Sequence, residues 1–250
     1  MKVISRSFQF IYSIYALLTF IAVMLLVFPF IIIASLFGVK GGNIIYKLCS
    51  FWSQFWYVLI GMRHQEIYET PHNTNRQYIF VGNHISYMDV PPVVMAIHQP
   101  IRVLGKYEMI KIPIFGWIYR TAVILVDRRN VALRAKSVRA LKAAIAKGIS
   151  IFIFPEGTFN ESEKPLKSFY DGAFRIAIET QTPIKPLLLI DTFERMNYKG
   201  LFTLTPGKNR VVYLQEISVN GYTLKEVHKL KNEVYRVMED GLKRYRNYTN

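Results

Sequence analysis

A histidine and a carboxylate stand five residues apart in the segment Asn83-His84-Ile85-Ser86-Tyr87-Met88-Asp89, which follows a short apolar run, Tyr78 to Val81. If a helix opens after Asn83, a non-helical His84 just ahead of its first turn can direct one ring nitrogen to the Asp89 carboxylate. The other ring nitrogen is then free to take a proton. The pattern is typical of a general base and the acid that orients it, although a hydrogen-bonded loop pair without catalytic function would have the same spacing.

A second carboxylate, Glu156, follows another apolar run in the segment Phe154-Pro155-Glu156-Gly157-Thr158. In open α/β sheets, ligands bind beyond the carboxyl ends of the strands. Pro155 ends strand pairing and Gly157 permits a tight turn, so the pattern predicts that Glu156 projects toward a crevice. A capped strand end with a solvated glutamate is the alternative interpretation.

Together and in this order, the two segments resemble the NHxxxxD and FPEGT signatures of the glycerolipid acyltransferase superfamily, typified by lysophosphatidic acid acyltransferase. Two further family blocks have counterparts here, and the resemblance extends over about residues 60 to 215. Four ordered blocks are far more specific than any one of them. The additional blocks are Gly105 to Glu108 with Pro113 to Gly116 and Val126 to Arg128, and Gly172 to Phe174 with Pro183 to Pro186.

The resemblance implies direct transfer of a fatty acyl group from a thioester donor to the hydroxyl of lysophosphatidic acid, which gives phosphatidic acid. His84 would be the catalytic base and Asp89 the residue that fixes its tautomer. The donor would be acyl-CoA or an acyl carrier protein, acting as co-substrate, with no other cofactor, no metal and no covalent acyl-enzyme. The implied substrate-binding residues are Lys106 for the developing oxyanion, Arg128 for the anionic head of the acceptor, Glu156 for orienting the acceptor, and the adjoining Gly157 and Thr158.

The sequence departs from the family pattern where the acceptor is recognised. Phe159 and Asn160 stand where the family usually has Arg-Ser, and Asp171 precedes Gly172 where basic residues are common. A guanidinium fork suits a phosphate and a phenyl ring does not. Another lysolipid, such as a lyso-aminolipid or one like lysophosphatidylglycerol, is therefore an alternative acceptor, and a membrane tether that binds lipid without turnover is a third hypothesis. The remaining cationic candidates are Lys106, Arg128, Arg129 and Lys167.

The amino-terminal segment is strongly apolar, with no charged residue in the 33 positions from Ser7 to Val39. About 20 residues suffice to cross a bilayer core, so a helix over the whole run must tilt, kink or fold back, and Pro29 is the expected place. A single span and a hairpin within one leaflet both fit. The aromatic stretch Ile44 to Met62 favours the membrane interface. The predicted division is a membrane-anchoring part, residues 1–62, and a catalytic domain, residues 63–250.

The chain is strongly basic, with 32 Lys and Arg, 17 Asp and Glu and a net charge of +15. All but four of the basic residues and all of the acidic ones follow residue 60. This charge predicts a catalytic domain held against the anionic cytoplasmic face of the cytoplasmic or inner membrane, in contact with membrane lipids, the lysolipid and the acyl donor. The sequence contains no RNP, zinc-finger or basic-zipper pattern that would indicate binding to nucleic acid. Cys49 is the only cysteine, which permits a reducing compartment.

The catalytic part alternates short apolar runs with helical patterns. This predicts an α/β fold with a mixed central sheet of about seven strands flanked by helices. Helical spacing of apolar residues also predicts helices over residues 131–145 and 224–242. The runs expected as strands are residues 65–69, 77–82, 101–105, 121–126, 149–154, 184–190 and 209–215.

Overall fold

The computed structural model describes residues 6–127 and 131–246. The strands in these ranges are β1 (Arg63–Tyr68), β2 (Ile79–Gly82), β3 (Ile101–Lys106), β4 (Val123–Val126), β5 (Ser150–Ile153), β6 (Ile184–Leu189) and β7 (Lys208–Tyr213). The helices are α1 (Arg6–Ser35), α2 (Gly38–Leu59), α3 (Val90–Ala96), α4 (Phe115–Ala122), α5 (Val131–Ala146), α6 (Gly172–Thr180), α7 (Thr192–Arg195) and α8 (Val227–Arg246).

The seven strands form one sheet in the order β1-β7-β6-β2-β5-β3-β4. The five strands from β6 to β4 are mutually parallel, whereas β7 runs antiparallel to β6 and β1 runs parallel to β7. The predicted mixed α/β sheet is confirmed, and every strand begins and ends within two residues of the predicted run. The carboxyl ends of β2, β5 and β3 meet at one edge of the sheet, where both motif segments leave their strands.

Both faces of the sheet are covered, because the central strands are apolar on both sides. Ile79 and Val81 of β2 pack into a core with α5, α6 and α8, and neither side chain is exposed. Phe80, between them, points to the opposite face and packs with α3. This alternation is the two-residue period of a strand, and it fixes which way the end of β2 leaves the sheet.

Helices α1 and α2 form an antiparallel hairpin. Helix α1 has 30 residues, which is about 45 Å, and within the described residues it is the one helix long and apolar enough to cross a membrane. The chain does not fold back at Pro29, because α1 continues through it and the chain reverses at Leu36 and Phe37. A proline removes one backbone donor, and the burial of Val27 and Ile31 on either side keeps this part of the helix packed.

Tryptophan side chains of α2 hold the two helices together. The indole nitrogens of Trp52 and Trp56 donate to the carbonyls of Phe20 and Ala16 at 3.2 and 2.8 Å. Near the reversal, a Cβ on Gly41 would lie 1.8 Å from the Ala34 carbonyl oxygen, so only glycine allows the helices to approach this closely.

One side of the hairpin packs on the catalytic part and the other side is open. A single buried cluster joins hairpin residues such as Trp56 to Met88, Met95, Ile118 and Leu204. The open side is apolar, so the hairpin covers the protein with one face and presents a hydrophobic surface with the other. The division at residues 62 and 63 falls in the short connection between α2 and β1 and stays a prediction. Large exposed apolar side chains on the open side include Ile11, Leu18, Leu26, Phe30, Ile33, Leu36 and Phe37.

Candidate active site

The site begins where β2 delivers Asn83 and His84 to the sheet edge. The Asn83 side chain pairs with the backbone of Leu189 in β6, donating to its carbonyl at 3.0 Å and accepting from its N–H at 2.8 Å. A Cβ on Gly82 would lie 2.8 Å from the ring of Phe152 in β5, so this strand end packs closely against its neighbour. The backbone just before His84 is therefore fixed to the strands on both sides.

His84 and Asp89 form the pair that their spacing predicts. His84 is not helical, and its Nδ1 lies 2.8 Å from Asp89 Oδ2. The same oxygen accepts from the backbone N–H groups of Ile85 and Ser86 at 2.7 and 2.9 Å. The ionised carboxylate can only accept, so Nδ1 carries the proton and Nε2 holds the free lone pair. Within the described residues Nε2 has no hydrogen-bond partner.

Asp89 is held by a capped turn. Ser86 Oγ accepts from the Met88 N–H at 2.9 Å, and Ser86 and Asp89 together form a capping box at the start of a short 3-10 turn. Ser86 is therefore the capping residue of this turn. Its hydroxyl also donates to the carbonyl of Met196, and the side chain is fully buried. Asp89 is fully buried too, so its orientation does not depend on contact with solvent.

Two phenyl rings enclose the His84 imidazole. Phe154 stacks on its face with ring centroids 3.9 Å apart and planes at 14°. Phe159, which stands where the family has arginine, meets the imidazole at 4.4 Å and 62° and contacts the Tyr87 ring at 4.8 Å. The family resemblance leads to the expectation of an arginine at this position, so it does not indicate this packing. The ring of Phe159 therefore fills space beside the base instead of supplying a cation.

Glu156 is fully buried behind the base, with both carboxylate oxygens engaged by backbone. Oε1 accepts from the His84 N–H at 2.7 Å, and Oε2 accepts from the Lys167 N–H at 2.8 Å. Burial raises the pKa of Glu156 from 4.5 to about 7, although the two backbone donors oppose this shift. The carboxylate thus joins the segments of β2 and β5, and its expected contact with the acceptor stays a prediction.

The turn after β5 is built as its sequence indicates. The Gly157 N–H donates to the Phe154 carbonyl at 3.0 Å, and Gly157 has a φ of 77°, a left-handed conformation that favours glycine. Thr158 is exposed and its hydroxyl accepts from Lys167 Nζ at 2.8 Å. The Lys167 ammonium therefore places a positive charge beside the motif turn.

The other expected substrate-binding residues are less closely associated with His84. Lys106 ends β3, which is separated from β2 by β5, and its exposed Nζ lies 3.7 Å from Glu108 Oε1. Arg128 and Arg129 lie outside the described residues. Asp171 pairs with Lys231 of α8 at 2.7 Å, and this hydrogen bond holds the pKa of Asp171 below its ordinary value. Asp171 therefore links two helices at the surface.

Within the described ranges, no group of three or more His, Cys, Asp or Glu side chains is arranged to hold a metal ion. Sequence reasoning missed the Asn83 pairing and the stacking of Phe154 on His84. Asn83 belongs to the NHxxxxD motif, but its partner lies 106 residues away in the sequence, and no local pattern points to it.

The comparisons with known proteins agree with this geometry. A sequence profile of the Acyltransferase family matches residues 63–190, which include every motif residue of the site. The chain is 30% identical to the 1-acyl-sn-glycerol-3-phosphate acyltransferase of Haemophilus influenzae over 185 residues, covering 73% of this chain and 75% of that protein. It is 31% identical to the enzyme of that name from Salmonella typhimurium over 166 residues, covering 64% of this chain and 65% of that protein, slightly less than two thirds.

A solved structure shows the same fold over nearly the whole chain. The crystal structure of the 1-acyl-sn-glycerophosphate acyltransferase of Thermotoga maritima superposes with a TM-score of 0.73 at 21% identity, covering 94% of this chain and 97% of that one. At this identity the likeness shows the fold alone. The matching family profile and the Haemophilus relative show that this chain belongs to the acyltransferase family.

Proposed function

We propose that this protein transfers a fatty acyl group from a thioester to the hydroxyl of lysophosphatidic acid at a membrane surface. The observation that carries the proposal is the His84–Asp89 pair, which leaves Nε2 as an unpaired acceptor at the carboxyl edge of the sheet. The names of the Haemophilus and Salmonella relatives support lysophosphatidic acid as the acceptor.

In the proposed reaction His84 acts as a general base. The acceptor hydroxyl gives its proton to Nε2 as its oxygen attacks the thioester carbonyl carbon. The C–S bond then breaks, and the departing thiolate takes the proton back from the imidazolium. Asp89 stabilises that imidazolium through the Nδ1 hydrogen bond, and general-base help of this kind is worth about 10² to 10⁴ in rate.

The transfer is direct, without an acyl-enzyme. Ser86 lies two residues after the base in sequence, but it is fully buried and its Oγ donates to the carbonyl of Met196. A hydroxyl used in this way cannot attack the donor. Glu156 acts as a positioning residue, because its carboxylate holds the backbone N–H of His84.

Substrate contacts follow from the charges near the sheet edge. Lys106 is assigned to the developing oxyanion. The anionic head of the acceptor is assigned to Gly157, Thr158 and the neighbouring Lys167, and also to Arg128, which lies outside the described residues. The donor is acyl-CoA or an acyl carrier protein. Both carry negative charge and would be attracted by the basic catalytic domain.

The open apolar face of the α1–α2 hairpin lies in the cytoplasmic or inner membrane, and the catalytic domain faces the cytoplasm. A lysolipid is then reached from the surface in which it resides. Helix α1 packs along α2 and the catalytic part, so the hairpin favours insertion into one leaflet over a single isolated span. This arrangement agrees with the membrane association suggested by α1 and the bacterial relatives.

Phe159 favours a second candidate, acylation of a lysolipid that lacks a phosphomonoester. Its ring occupies the place of the family arginine and packs against His84 and Tyr87. An apolar wall there would accept a glycerol or amine-bearing head more readily than a dianionic phosphate.

The test is thiol release from one acyl thioester with a panel of lysolipids, measured for the detergent-purified protein and two variants. His84→Ala removes the base, and we expect turnover to fall at least about a hundredfold. His98→Ala is the matched control, since His98 is exposed and contacts Glu66 outside the site. His84-dependent release with lysophosphatidic acid supports the proposal, whereas release confined to lysolipids without a phosphomonoester supports the second candidate. If no acceptor gives His84-dependent thiol release, both candidate functions are contradicted.

A further inference from the structure

A loop with an apolar tip lies beside the amino-terminal part of the hairpin. We call residues 198–203 the apolar loop. It lies between α7 and β7, and at its tip Leu201 and Phe202 are 61% and 47% exposed. No acidic residue occurs from Arg195 to Gln215, whereas Lys199 and Lys208 are exposed on either side of the tip. A soluble surface loop ordinarily exposes polar residues, so this tip requires an explanation.

The apolar loop is attached to the first turns of α1. The rings of Phe202 and Phe10 lie 5.1 Å apart, and Gln9 Nε2 donates to the Thr203 carbonyl at 2.6 Å. The Leu204 N–H, just after the loop, donates to Ser13 Oγ at 3.1 Å. The tip and the exposed residues of α1 therefore form one continuous apolar surface. The members on α1 are Phe8, Phe10 and Ile11, which are 50%, 49% and 66% exposed.

The segment just before the apolar loop and the first residue of the loop reach the active site. The Met196 carbonyl accepts from the hydroxyl of Ser86, which caps the turn that holds Asp89. Tyr198 OH donates to the Glu161 carbonyl at 3.4 Å, beyond the motif turn of β5. The loop thus connects the hairpin surface with both segments of the site.

We propose that the apolar loop is a second membrane-insertion element, in which Leu201 and Phe202 enter the interface of an anionic bilayer beside the start of α1. Aromatic and aliphatic tips next to lysines are suited to the boundary between acyl chains and anionic headgroups. Insertion at this point places the His84 edge of the sheet close to the bilayer surface. The consequence for turnover rests on the proposed function, but insertion itself does not.

Site-specific labelling tests the insertion directly. In a Cys49→Ser background, Leu201→Cys and Leu224→Cys variants of the full chain are labelled with an environment-sensitive fluorophore and mixed with vesicles of phosphatidylglycerol and phosphatidylethanolamine. Leu224 is the matched control, because it is also an exposed leucine but precedes α8, which packs on the other face of the sheet. We expect a blue shift and a severalfold rise in emission at position 201 and little change at 224.

An unchanged emission at position 201 while the protein binds the vesicles would overturn the proposal. A blue shift that appears without vesicles as the protein concentration rises would also overturn it, since the tip would then contact a second copy of the chain.

Turnover provides an independent measurement with unlabelled protein. We expect Leu201→Ser to lower transfer to a vesicle-embedded lysolipid about fivefold and to leave transfer to the detergent-dispersed lysolipid nearly unchanged, with Leu224→Ser unchanged in both. An equal loss in vesicles and in detergent would mean that the loop acts on the catalytic turn alone, which contradicts the proposal. If the unaltered protein transfers no acyl group to any acceptor, the proposed function fails, and the fluorescence result still decides on insertion.

Discussion

His84 is positioned by contacts on several sides: Asp89 at Nδ1, the Phe154 ring on its face, the Phe159 ring near its edge, and Glu156 at its backbone N–H. These contacts leave Nε2 for the reaction. The imidazole therefore needs little rearrangement when the acceptor hydroxyl arrives, which is the advantage of a preorganised base.

Asp89→Asn should separate orientation from folding. An amide can accept from the same backbone groups but cannot stabilise an imidazolium as a carboxylate does, so we expect kcat to fall about 10² to 10⁴ fold with KM nearly unchanged. Asp240→Asn is the matched control, because Asp240 is exposed on α8. Steady-state kinetics with varied acceptor measure both constants. A variant with normal kcat would remove Asp89 from the mechanism.

Glu156 should make stability depend on pH. Its pKa of about 7 in the folded protein exceeds the ordinary 4.5, so between these values the folded state binds more protons than the unfolded state. The unfolding free energy therefore falls as the pH rises through this window, by about 3 kcal/mol in all. Glu156→Gln should lack this fall, while Glu163→Gln, an exposed control, should keep it. Thermal unfolding in detergent across the window measures the effect, and an identical slope in all three proteins would contradict it.

At the scale of elements, the end of β2 is joined to β6 through Asn83. Asn83→Ala leaves the Leu189 N–H without its partner in a buried place, at a cost of about 1 to 3 kcal/mol, whereas the Leu189 carbonyl keeps its hydrogen bond from the Arg246 guanidinium. We expect a lower melting temperature and a lower kcat, since the next residue is the base. Asn220→Ala, in an exposed turn, should change neither. Unaltered stability and turnover in the Asn83 variant would show that the pairing is dispensable.

The individual elements could largely be predicted from the sequence, because short apolar runs and helical spacing are local signals. Their arrangement could not. The order of the strands places β2 between β5 and β6, and these pairings join residues that are far apart in the chain. Residue type alone also does not decide which helix positions face the core. In α5, Ala135 is exposed, whereas Ser137 is buried with its hydroxyl donating to the Leu125 carbonyl.

The same distinction applies to the site. His84 and Asp89 could be paired from the sequence because five residues separate them. Glu156 was expected to face the acceptor, but its contacts with the backbone of His84 and Lys167 depend on the sheet order and on burial, which no spacing reveals. The reversal of the hairpin at Leu36 and Phe37 was missed for a related reason. Packing along α2 decides where α1 ends, and a proline alone does not.

At the scale of the whole molecule, the hairpin and the catalytic part share one buried cluster. Met88, next to Asp89, lies in it together with Trp56 of α2. The hairpin is therefore a packing partner of the active-site turn as well as the proposed membrane anchor. Its large buried aromatic side chains are of the kind whose removal costs several kcal/mol.

Removing residues 1–62 should consequently do more than release the protein from membranes. The fragment 63–250 would expose Met88, Met95, Ile118 and Leu204, and we expect it to aggregate or to lose cooperative unfolding. Size-exclusion chromatography and thermal unfolding measure this. A monomeric fragment with a cooperative transition and full turnover in detergent would show that the hairpin serves only as an anchor.

The most direct test of the account is product formation from lysophosphatidic acid and an acyl thioester, followed by mass spectrometry for the unaltered protein, His84→Ala and His98→Ala. We predict phosphatidic acid at equal rates for the unaltered protein and His98→Ala, and at a rate at least about a hundredfold lower for His84→Ala. Two results would contradict the central claim that the His84–Asp89 pair catalyses this transfer. One is phosphatidic acid formed at a normal rate by His84→Ala, and the other is no phosphatidic acid from any of the three proteins.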